Sequence, residues 1–339
     1  MLPPMTRPAA KLLDHILQEE ALEERSVLFL MAEAMTALGG SYITAVQPWV
    51  NQRTIYQQIY GRTEELDPAA HYDFTLLLCP KNMIETRYLI AQGLRFLKEH
   101  GVLIAAAEND AGGKRLDSLA KELGSPCGVT TKHKSRAIRI TKSEVLNADK
   151  LLQWLKEGEA QQNNAGYWTQ PGLFSWDKVD IGSRLLLNTL SDKPSGHIGD
   201  FGCGYGFISH GIAQKDTAIT KMSMIDADSR ALHCAEKNMR PYQKIFDTRY
   251  HWADLSQPFV LPHKCDMILM NPPFHTGKAQ QYSLGQFFNE NAAQNLKPGG
   301  TLWMVANSHL PYEKIVDGAF SKNDIIEQKQ GFKIIRAVR

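Results

Sequence analysis

Short apolar runs recur along the first half of the chain, and helical stretches separate them. The runs at 26–31, 74–79 and 102–106 are apolar at nearly every position, which is typical of strands buried on both faces of a sheet. Between the last two runs, residues 84–99 have helical character. Because strands that alternate with helices form parallel sheets, this half is predicted to be an α/β domain with a parallel sheet.

The second half shows the same alternation. Its strand candidates are 198–201, 221–225, 267–270 and 301–306. Between the halves, the polar run 161–166 has the composition of a linker. The sequence therefore predicts two α/β domains, 1–145 and 171–339, joined by a linker over 146–170.

A weak internal repeat connects the two halves. The matched segments are 73–80 with 266–273, 97–103 with 296–302, and 134–140 with 333–339. Three matches in the same order favour duplication of one α/β unit. In this pairing Leu78 stands where the second copy has Asn271, and no glycine-rich loop follows 27–31. We therefore expect the N-terminal copy to have no chemistry of its own.

Composition limits the classes of protein to consider. With 339 residues, 43% hydrophobic and 22% charged, the chain has an ordinary folded composition. The longest apolar run, 101–107, is far short of the roughly 20 residues that span a bilayer. Residues 1–7 have no apolar core of the signal-peptide kind. A cytoplasmic protein with no membrane association is predicted.

Cysteine usage and charge exclude further classes. The 5 cysteines are odd in number, and none forms a CxxC pair, so neither a disulfide framework nor a structural metal site is expected. The net charge of +2 does not by itself indicate a polyanionic partner. A nucleic-acid surface would have to be a local basic patch.

A glycine-rich loop in the second half predicts a nucleotide-like ligand. Gly202, Gly204 and Gly206 lie between a strand and a helix, where the absence of Cβ atoms lets the backbone turn tightly and approach a ligand. The dinucleotide fingerprint GxGxxG would need glycine at 207, where this chain has Phe207. No Gly-Lys-Ser/Thr follows, so a Walker A loop is excluded as well.

With Asp200 before it, this GxGxG loop resembles the S-adenosylmethionine loop of class I methyltransferases. The resemblance implies that Asp226 holds the ribose hydroxyls and that Asp254 lies near the adenine amino group. Taken singly, each acid could equally be a loop carboxylate or a helix cap. The residues assigned to the cofactor are Asp200, Gly202, Cys203, Gly204, Gly206, Asp226, Asp254 and Asn271.

The segment 265–275 carries the candidate chemistry. A hydrophobic strand ends at Asn271, and two prolines then fix φ and remove two backbone donors. The side-chain oxygen of Asn271 and the carbonyl of Pro272 are placed to accept hydrogen bonds from one NH2 group, orienting its nitrogen towards an activated methyl group. Phe274 is placed to stack on a flat ring. A rigid turn that only closes the strand would explain the same residues without any chemistry.

Together with the loop, this tetrapeptide resembles the (N/D)PP(F/Y) signature of methyltransferases that act on planar or exocyclic nitrogen. The resemblance assigns the catalytic role to Asn271, Pro272, Pro273 and Phe274. Phe274 followed by His275 is closer to the ribosomal RNA guanine-N2 enzymes. The segments 171–187, 305–312 and 331–334 resemble the bacterial 16S ribosomal RNA guanine-N2 methyltransferase family of the C type.

That family implies a duplicated, Rossmann-like class I methyltransferase fold whose N-terminal copy has lost cofactor binding. It also implies S-adenosylmethionine as cofactor, a guanine of small-subunit ribosomal RNA as substrate, and Phe174, Ser175 and Asp180 on the substrate side. The large-subunit guanine-N2 enzymes share the plan and the NPPFH motif. The motifs are also compatible with amino methylation of protein glutamine or DNA adenine, and the fold with a non-catalytic RNA-binding module.

A basic segment at 131–142 is the candidate RNA surface. It contains cations and a histidine but no acid, and phosphate contacts from it would be sensitive to salt. Its cations are Lys132, Lys134, Arg136, Arg139 and Lys142. A solvated edge strand protected by lysines would explain the pattern equally well. We predict that the first domain docks ribosomal RNA or the small subunit, that the protein is a monomer, and that it holds no metal.

Overall fold

The computed structural model divides into two compact units, Met1–Glu159 and Ala160–Arg339. The structure describes residues 7–20, 22, 24–38, 42–60, 66–143, 146–215, 218–273, 278–310, 316 and 318–339. Within these residues, no helix is long and apolar enough to cross a membrane.

The first unit is built on a six-stranded sheet in the order β2-β1-β3-β4-β6-β5. Its strands are β1 Ser26–Leu30, β2 Tyr42–Val46, β3 Tyr72–Leu78, β4 Leu97–Glu108, β5 Gly128–Lys132 and β6 Ser135–Thr141. Its helices are α1 Pro8–Leu17, α2 Val50–Tyr60, α3 Met83–Arg95, α4 Leu116–Glu122 and α5 Ala148–Gly158. Strands β1 to β4 are parallel, whereas β6 and β5 pair antiparallel. The predicted parallel sheet is therefore a mixed one, since a tight hairpin forms its last two strands.

The second unit has a seven-stranded sheet in the order β11-β10-β9-β12-β13-β15-β14, with a separate hairpin of β7 and β8. Its strands are β7 Gln161–Gln162, β8 Trp168–Thr169, β9 Ser195–Phe201, β10 Ala218–Asp226, β11 Asp247–Trp252, β12 Cys265–Met270, β13 Leu296–Asn307, β14 Lys322–Lys329 and β15 Phe332–Val338. Its helices are α6 Ile181–Thr189, α7 Phe207–Ala213, α8 Ser229–Met239 and α9 Lys278–Asn295.

The predicted linker, 146–170, is ordered secondary structure. Helix α5 occupies its first part, and β7 and β8 pair across the polar run. The division between the units falls inside this range, after Glu159. The polarity of 161–166 arises because β7 is exposed and a turn joins it to β8. Polar composition here marks a surface hairpin.

The strand registers show that the two units are copies of one fold. Phe74 pairs with Val102, and Met267 pairs with Thr301, each after the same irregularity at the strand start. Strands β4 and β13 have an identical burial pattern along their whole length. The sheet orders also correspond, with β11 as an addition in the second unit. The prediction of two tandem Rossmann-like units from a duplication is confirmed.

One of the three sequence matches is displaced by two residues. Val102 pairs with Thr141, and its counterpart Thr301 pairs with Val338, so Thr141 corresponds to Val338. The match of 134–140 with 333–339 is therefore wrong in register, although the two strands do correspond. A shift of two residues keeps every side chain on its own face of the sheet, which is why the apolar pattern did not reveal it.

The apolar runs are strands covered on both faces. Neighbouring residues Ile268 and Leu269 of β12 are both fully buried, but they belong to different hydrophobic clusters. Successive side chains of a strand point to opposite faces, so each face of the sheet has its own core. This arrangement places the loops after β9, β10 and β12 together at the carboxyl edge of the sheet.

Candidate active site

The glycine-rich loop adopts a conformation that L side chains rarely enter. Gly202, Gly204 and Gly206 have φ values of 76°, 52° and 84°. A Cβ built on Gly204 would meet no atom of the described residues within 4 Å, whereas one on Gly206 would lie 3.0 Å from Met224 Cε. A side chain at Gly206 would therefore crowd Met224 and Ala235, while Gly204 borders space that no described residue fills at the carboxyl edge.

Asp226 ends β10 and closes the loop from the neighbouring strand. Its Oδ2 accepts a hydrogen bond of 2.8 Å from the Gly204 backbone nitrogen, and its Oδ1 accepts one of 2.9 Å from the Asp228 nitrogen. Burial raises the pKa of Asp226 to about 6, although these backbone hydrogen bonds act to lower it. The Asp226 carboxylate therefore stabilises the conformation of the glycine-rich loop, and it lies at the carboxyl edge of the sheet.

Asp200 is fully buried beneath the loop. Its Oδ2 accepts a hydrogen bond of 2.6 Å from Ser209 Oγ, whereas its Oδ1 is buried without a hydrogen-bond partner in the described chain. Burial raises its pKa to about 7, and the nearby charge of Asp226 adds to the rise. A buried acceptor without a partner is costly, so this carboxylate is suited to a cationic or hydrogen-bonding ligand.

Asp254 lies on the loop after β11, where its Oδ1 accepts a hydrogen bond of 2.9 Å from the Ser256 nitrogen. The next part of this loop is tied to α9 by two buried asparagines. Asn291 binds the backbone of Leu255, Gln257 and Phe259, and Asn295 binds that of Phe259 and Leu261. Sequence reasoning missed both asparagines, whose four-residue spacing on a helix was the available signal.

Asn271 follows β12 at the carboxyl edge. Its Nδ2 donates to Asp180 Oδ2 at 2.9 Å and to Ser183 Oγ at 2.8 Å. Within the described part of the chain, no donor reaches its Oδ1. Pro272 is buried and Pro273 is exposed, while Phe274 and His275 lie outside the described residues. The predicted acceptor, the Asn271 side-chain oxygen, is therefore turned away from the groups that hold the amide.

The predicted substrate-side residues precede and begin α6. Phe174 is 53% exposed, and Ser175 has a φ of 51°, an unusual conformation for a residue other than glycine. The carboxylate of Asp180 is directed at Asn271 and at the start of α6. The structure thus brings Asp180 and Asn271 together, and it adds Ser183, which sequence reasoning missed.

In the first unit, the side chain of Arg7 fills the carboxyl edge of the sheet, which corresponds to the edge described above for the second unit. Arg7 donates to Glu33 at 3.0 Å, to both carboxylate oxygens of Glu108 at 3.1 and 3.0 Å, and to the Cys79 carbonyl at 3.0 Å. The strand registers place Cys79 at the position of Pro272. Glu33 stands three residues after β1, as Gly204 does after β9. An ion-paired arginine therefore lies where the second unit has its open edge.

The basic segment has fewer free charges than its sequence indicates. Arg136 pairs with Asp117 at 3.0 Å, and Arg139 pairs with Glu20.

Lys134 lies in the two-residue turn between β5 and β6, with a φ of 55°, rather than on a strand. Lys132 and Lys134 are exposed, whereas Lys142 donates to the Leu97 carbonyl at 2.6 Å. The exposed cations are concentrated at the hairpin tip.

Two comparisons identify the family. The family described as "Methyltransferase small domain" matches residues 164–336. A protein of Psychromonas ingrahamii named "Ribosomal RNA small subunit methyltransferase C" is 30% identical over 81% of this chain and 78% of its own length. The chain belongs to the ribosomal RNA small subunit methyltransferase C family. This is the family predicted from the NPPF and GxGxG motifs together with the segments 171–187, 305–312 and 331–334.

Other relatives in the same family extend the likeness to the whole chain. A methyltransferase C of Escherichia coli O157:H7 is 26% identical over 98% of this chain and 96% of its own length. Among solved structures, a T. thermophilus enzyme described as a "16S rRNA N2 G1207 methyltransferase (RsmC) in complex with AdoMet and Guanosine" has a TM-score of 0.79. It is 20% identical, and the match covers 98% of this chain and 92% of that chain. The fold of both units is therefore that of the family.

Within the described residues, no group of three or more His, Cys, Asp or Glu side chains is arranged to hold a metal ion. The acids at the carboxyl edge contact backbone nitrogens and hydroxyl groups instead. The described part of the site thus consists of hydrogen-bonding groups and glycines.

Proposed function

We propose that this protein transfers a methyl group from S-adenosylmethionine to the N2 amino group of a guanine in 16S ribosomal RNA. The observation that carries the proposal is the orientation of Asn271, whose Nδ2 is bound by Asp180 and Ser183 while its Oδ1 is left as an acceptor. An exocyclic amino group is a donor that fits such an acceptor. Membership of the methyltransferase C family supports the same reaction and RNA.

The residues at the carboxyl edge fit S-adenosylmethionine. The space at Gly204 that no described residue fills, and the buried Oδ1 of Asp200, which has no partner among the described residues, are suited to a cationic nucleoside. Asp226 and Asp254 are assigned to the ribose and to the adenine, and Cys203, Gly202, Gly206 and Asn271 border the same edge. When bound, the cofactor supplies a methyl group on a sulfonium sulfur, which becomes a neutral thioether once the nitrogen takes the methyl.

The protein's part in the chemistry is to place the amino group. Asn271 Oδ1 and the Pro272 carbonyl accept its two hydrogens, which directs the nitrogen lone pair towards the methyl position. The prolines hold these acceptors rigidly because their φ angles are restricted. Placement of an activated methyl for in-line attack supplies much of the acceleration, so no strong base is required, and the proton leaves to solvent after transfer.

Phe174 and Phe274 are proposed to contact the flat base, and Ser175 sets the turn that presents Phe174. Aromatic rings stack on bases that leave their helix, which is how single nucleotides of RNA are commonly held. The first unit is proposed to serve as an RNA-docking and scaffold domain without cofactor chemistry, since Leu78 replaces Asn271 and Arg7 fills its edge. A monomer acting in the cytoplasm is the simplest form consistent with this substrate.

The test is methyl transfer from labelled S-adenosylmethionine to unmodified 16S RNA, 23S RNA and small subunits, followed by nucleoside mass spectrometry. We expect N2-methylguanosine in the small-subunit RNA, as free RNA or in the assembled particle. Product in 23S RNA alone would mean that the substrate is the RNA of the large subunit. Cofactor binding without RNA product would redirect the search to protein glutamine or DNA adenine, and absence of cofactor binding would reject the enzyme.

Cofactor affinity is expected to fall as the pH is lowered below 7. Burial raises the pKa of Asp200 to about 7, and a cationic ligand favours the ionised carboxylate, so binding must release a proton at lower pH. The Kd measured by calorimetry should therefore rise by up to about tenfold per pH unit below this value. Without ligand the sign is opposite, because a raised carboxyl pKa stabilises the folded protein at low pH and this contribution is lost as the pH rises through about 7.

The control is Asp200→Asn, which keeps the shape and removes the titrating group. This variant should bind more weakly at pH 8 and show a flatter pH profile, with residual dependence near pH 6, where Asp226 titrates. An unchanged profile in the variant would refute the assignment to Asp200.

Charge reversal at the tip of the basic hairpin is expected to weaken RNA binding. Lys132→Glu with Lys134→Glu should lower 16S RNA affinity about tenfold at moderate salt and reduce the salt slope by about 1.4, the value for two lost single-strand phosphate contacts. Arg136 and Arg139 are left unchanged because they pair with acids. The matched control is Lys329→Glu, since Lys329 occupies the position of Lys132 in the corresponding hairpin of the second unit. Equal effects of both variants would contradict docking by the first unit.

A further inference from the structure

Asp180 is shared between a helix terminus and the candidate catalytic asparagine. It is the N-cap of α6, where its Oδ2 accepts a hydrogen bond of 2.7 Å from the Ser183 backbone nitrogen. The same oxygen accepts a hydrogen bond of 2.9 Å from Asn271 Nδ2. The Ser183 side chain completes the contact, because its Oγ lies 2.8 Å from Nδ2. Both hydrogens of the Asn271 amide are thereby bound within the protein.

These contacts decide which end of the amide faces the substrate. The oxygen and nitrogen of an asparagine side chain have nearly the same shape, so only their hydrogen-bond partners select one orientation. A carboxylate is an acceptor only, and it repels an amide oxygen. In the reversed orientation, Asn271 would place its oxygen against Asp180 and present an NH2 group to the incoming amino group, donor against donor.

We propose that Asp180 and Ser183 are positioning residues that lock the Asn271 amide with Oδ1 towards the guanine amino group. The inference rests on the proposed function, and it assigns Asp180 a role through Asn271 rather than on the substrate itself. The catalytic acceptor is thus set before the substrate arrives, so no reorientation is required during the reaction.

The carboxylate that performs this task is closely surrounded. A Cβ built on Gly182 would lie 3.1 Å from Asp180 Oδ2 and 3.1 Å from two carbons of the Phe332 ring. Ser183 is 7% exposed. The first turn of α6 therefore has little freedom, and the acceptors for Nδ2 are held by backbone packing as well as by their own bonds.

The duplication offers an internal comparison. Arg7 is the N-cap of α1, the helix before β1, just as Asp180 is the N-cap of the helix before β9. The position of Asn271 is held by Leu78. In the copy that has no amide to orient, the orienting carboxylate is thus replaced as well. This joint difference supports a task that the two residues perform together.

The first test separates capping from positioning. Asp180→Ser keeps an N-cap oxygen for Ser183 but is too short to reach Asn271, whereas Asp180→Asn keeps an acceptor oxygen at both contacts. We expect kcat to fall about tenfold in Asp180→Ser, which is less than the roughly hundredfold or greater loss that follows removal of a catalytic hydrogen-bonding group itself, because Asn271 is still present. KM for RNA, the cofactor Kd and the melting temperature should change little. Asp180→Asn should restore kcat to within about threefold of the wild type, since an amide oxygen serves as well at a cap and as an acceptor.

Ser183→Ala removes the second acceptor and should lower kcat about threefold with unchanged KM, a loss consistent with one neutral hydrogen bond. Asn147→Ser changes another helix cap, that of α5, and should leave every parameter unchanged. A full-rate Ser183→Ala or Asp180→Ser would overturn the proposal. So would a raised KM shared by Asp180→Ser and Asp180→Asn, which would mean that the carboxylate contacts the base.

The second test combines variants and is read in single-turnover reactions with labelled cofactor. If Asp180 acts through Asn271, adding Asp180→Ser to Asn271→Ala should cost less than about twofold, because interacting residues are not additive. A further tenfold loss would show that Asp180 acts independently. Failure of the proposed function is distinguishable, because the wild-type protein itself would then form no N2-methylguanosine.

Discussion

Replacing Asn271 by alanine is expected to lower the rate of methyl transfer to 16S RNA about a thousandfold, at the upper end for loss of one preorganised hydrogen-bonding group. The variant loses the acceptor that orients the amino group, and nothing else in the described site can take its place. Cofactor affinity should fall far less than the rate, because the glycine loop, the buried Asp200 and the partly buried Asp226 are untouched. Single-turnover assays and calorimetry with the same preparation separate these two effects.

The folded state should tolerate this change. Asn271→Ala removes two hydrogen bonds but leaves Asp180 bound to the start of α6, so we expect a loss of about 1 kcal/mol in the free energy of unfolding. Asn188→Ala, an exposed position on α6, is the matched control and should keep full activity. Retention of more than one-tenth of wild-type activity in Asn271→Ala would contradict the assignment of the acceptor.

Replacing Gly204 by alanine is expected to weaken S-adenosylmethionine binding about a hundredfold. The new Cβ would enter space in which no atom of the described chain lies within 4 Å, so these residues offer no clash. A ligand that approaches the backbone there would meet the methyl group, which is the reason such loops contain glycine. The φ of 52° adds strain of about 1 kcal/mol to the folded state. Calorimetric titration measures the Kd, and thermal unfolding measures the strain.

Gly331→Ala is the control for that strain. Gly331 also has a positive φ, of 82°, and its Cβ would likewise meet no described atom within 4 Å, but it lies in the turn between β14 and β15. Both variants should lose similar stability, and only Gly204→Ala should lose cofactor affinity. If cofactor binding were equally strong in the two variants, the open space at Gly204 would not be the cofactor site.

The duplication explains how one fold can carry two different edges. Both units have parallel central strands with loops at the carboxyl end, where open α/β sheets bind ligands. In the first unit, Arg7 joins Glu33, Glu108 and the Cys79 carbonyl at this edge. Carboxylates placed near the end of a sheet without a ligand need a partner, and the arginine supplies it. In the first unit, the Arg7 side chain thus satisfies these groups, and it occupies the region that corresponds to the carboxyl edge of the second unit.

Several elements were predictable because their signals are local. The runs at 74–79 and 267–270 are apolar on both faces, and the structure has strands at Tyr72–Leu78 and Cys265–Met270. Helix α3 ends at Arg95 rather than near 99, because Leu97 already belongs to the next strand. Strand β14 was not predicted, since its exposed edge position gives it no apolar run.

The charges were less predictable than the strands. Arg136 and Arg139 belong to a segment without acids, yet each pairs with an acid distant in sequence, Asp117 and Glu20. An ion pair depends on the distance between two side chains, and the sequence separation of the second pair is far outside any local pattern. A basic run in sequence therefore overstates the basic surface that the fold presents.

The sequence by itself determined the family, the duplicated α/β plan, the glycine loop and the NPPF motif, because each resides in short segments whose chemistry does not depend on distant residues. The tertiary structure alone decided which hydrogen bonds and ion pairs form between residues of different segments. It set the orientation of the Asn271 amide through Asp180, the pairing of the basic segment, and the filling of the first unit's edge by Arg7. Hydrogen bonds and ion pairs act over a few ångströms in space, and only the folded chain brings residues so far apart in sequence within that reach.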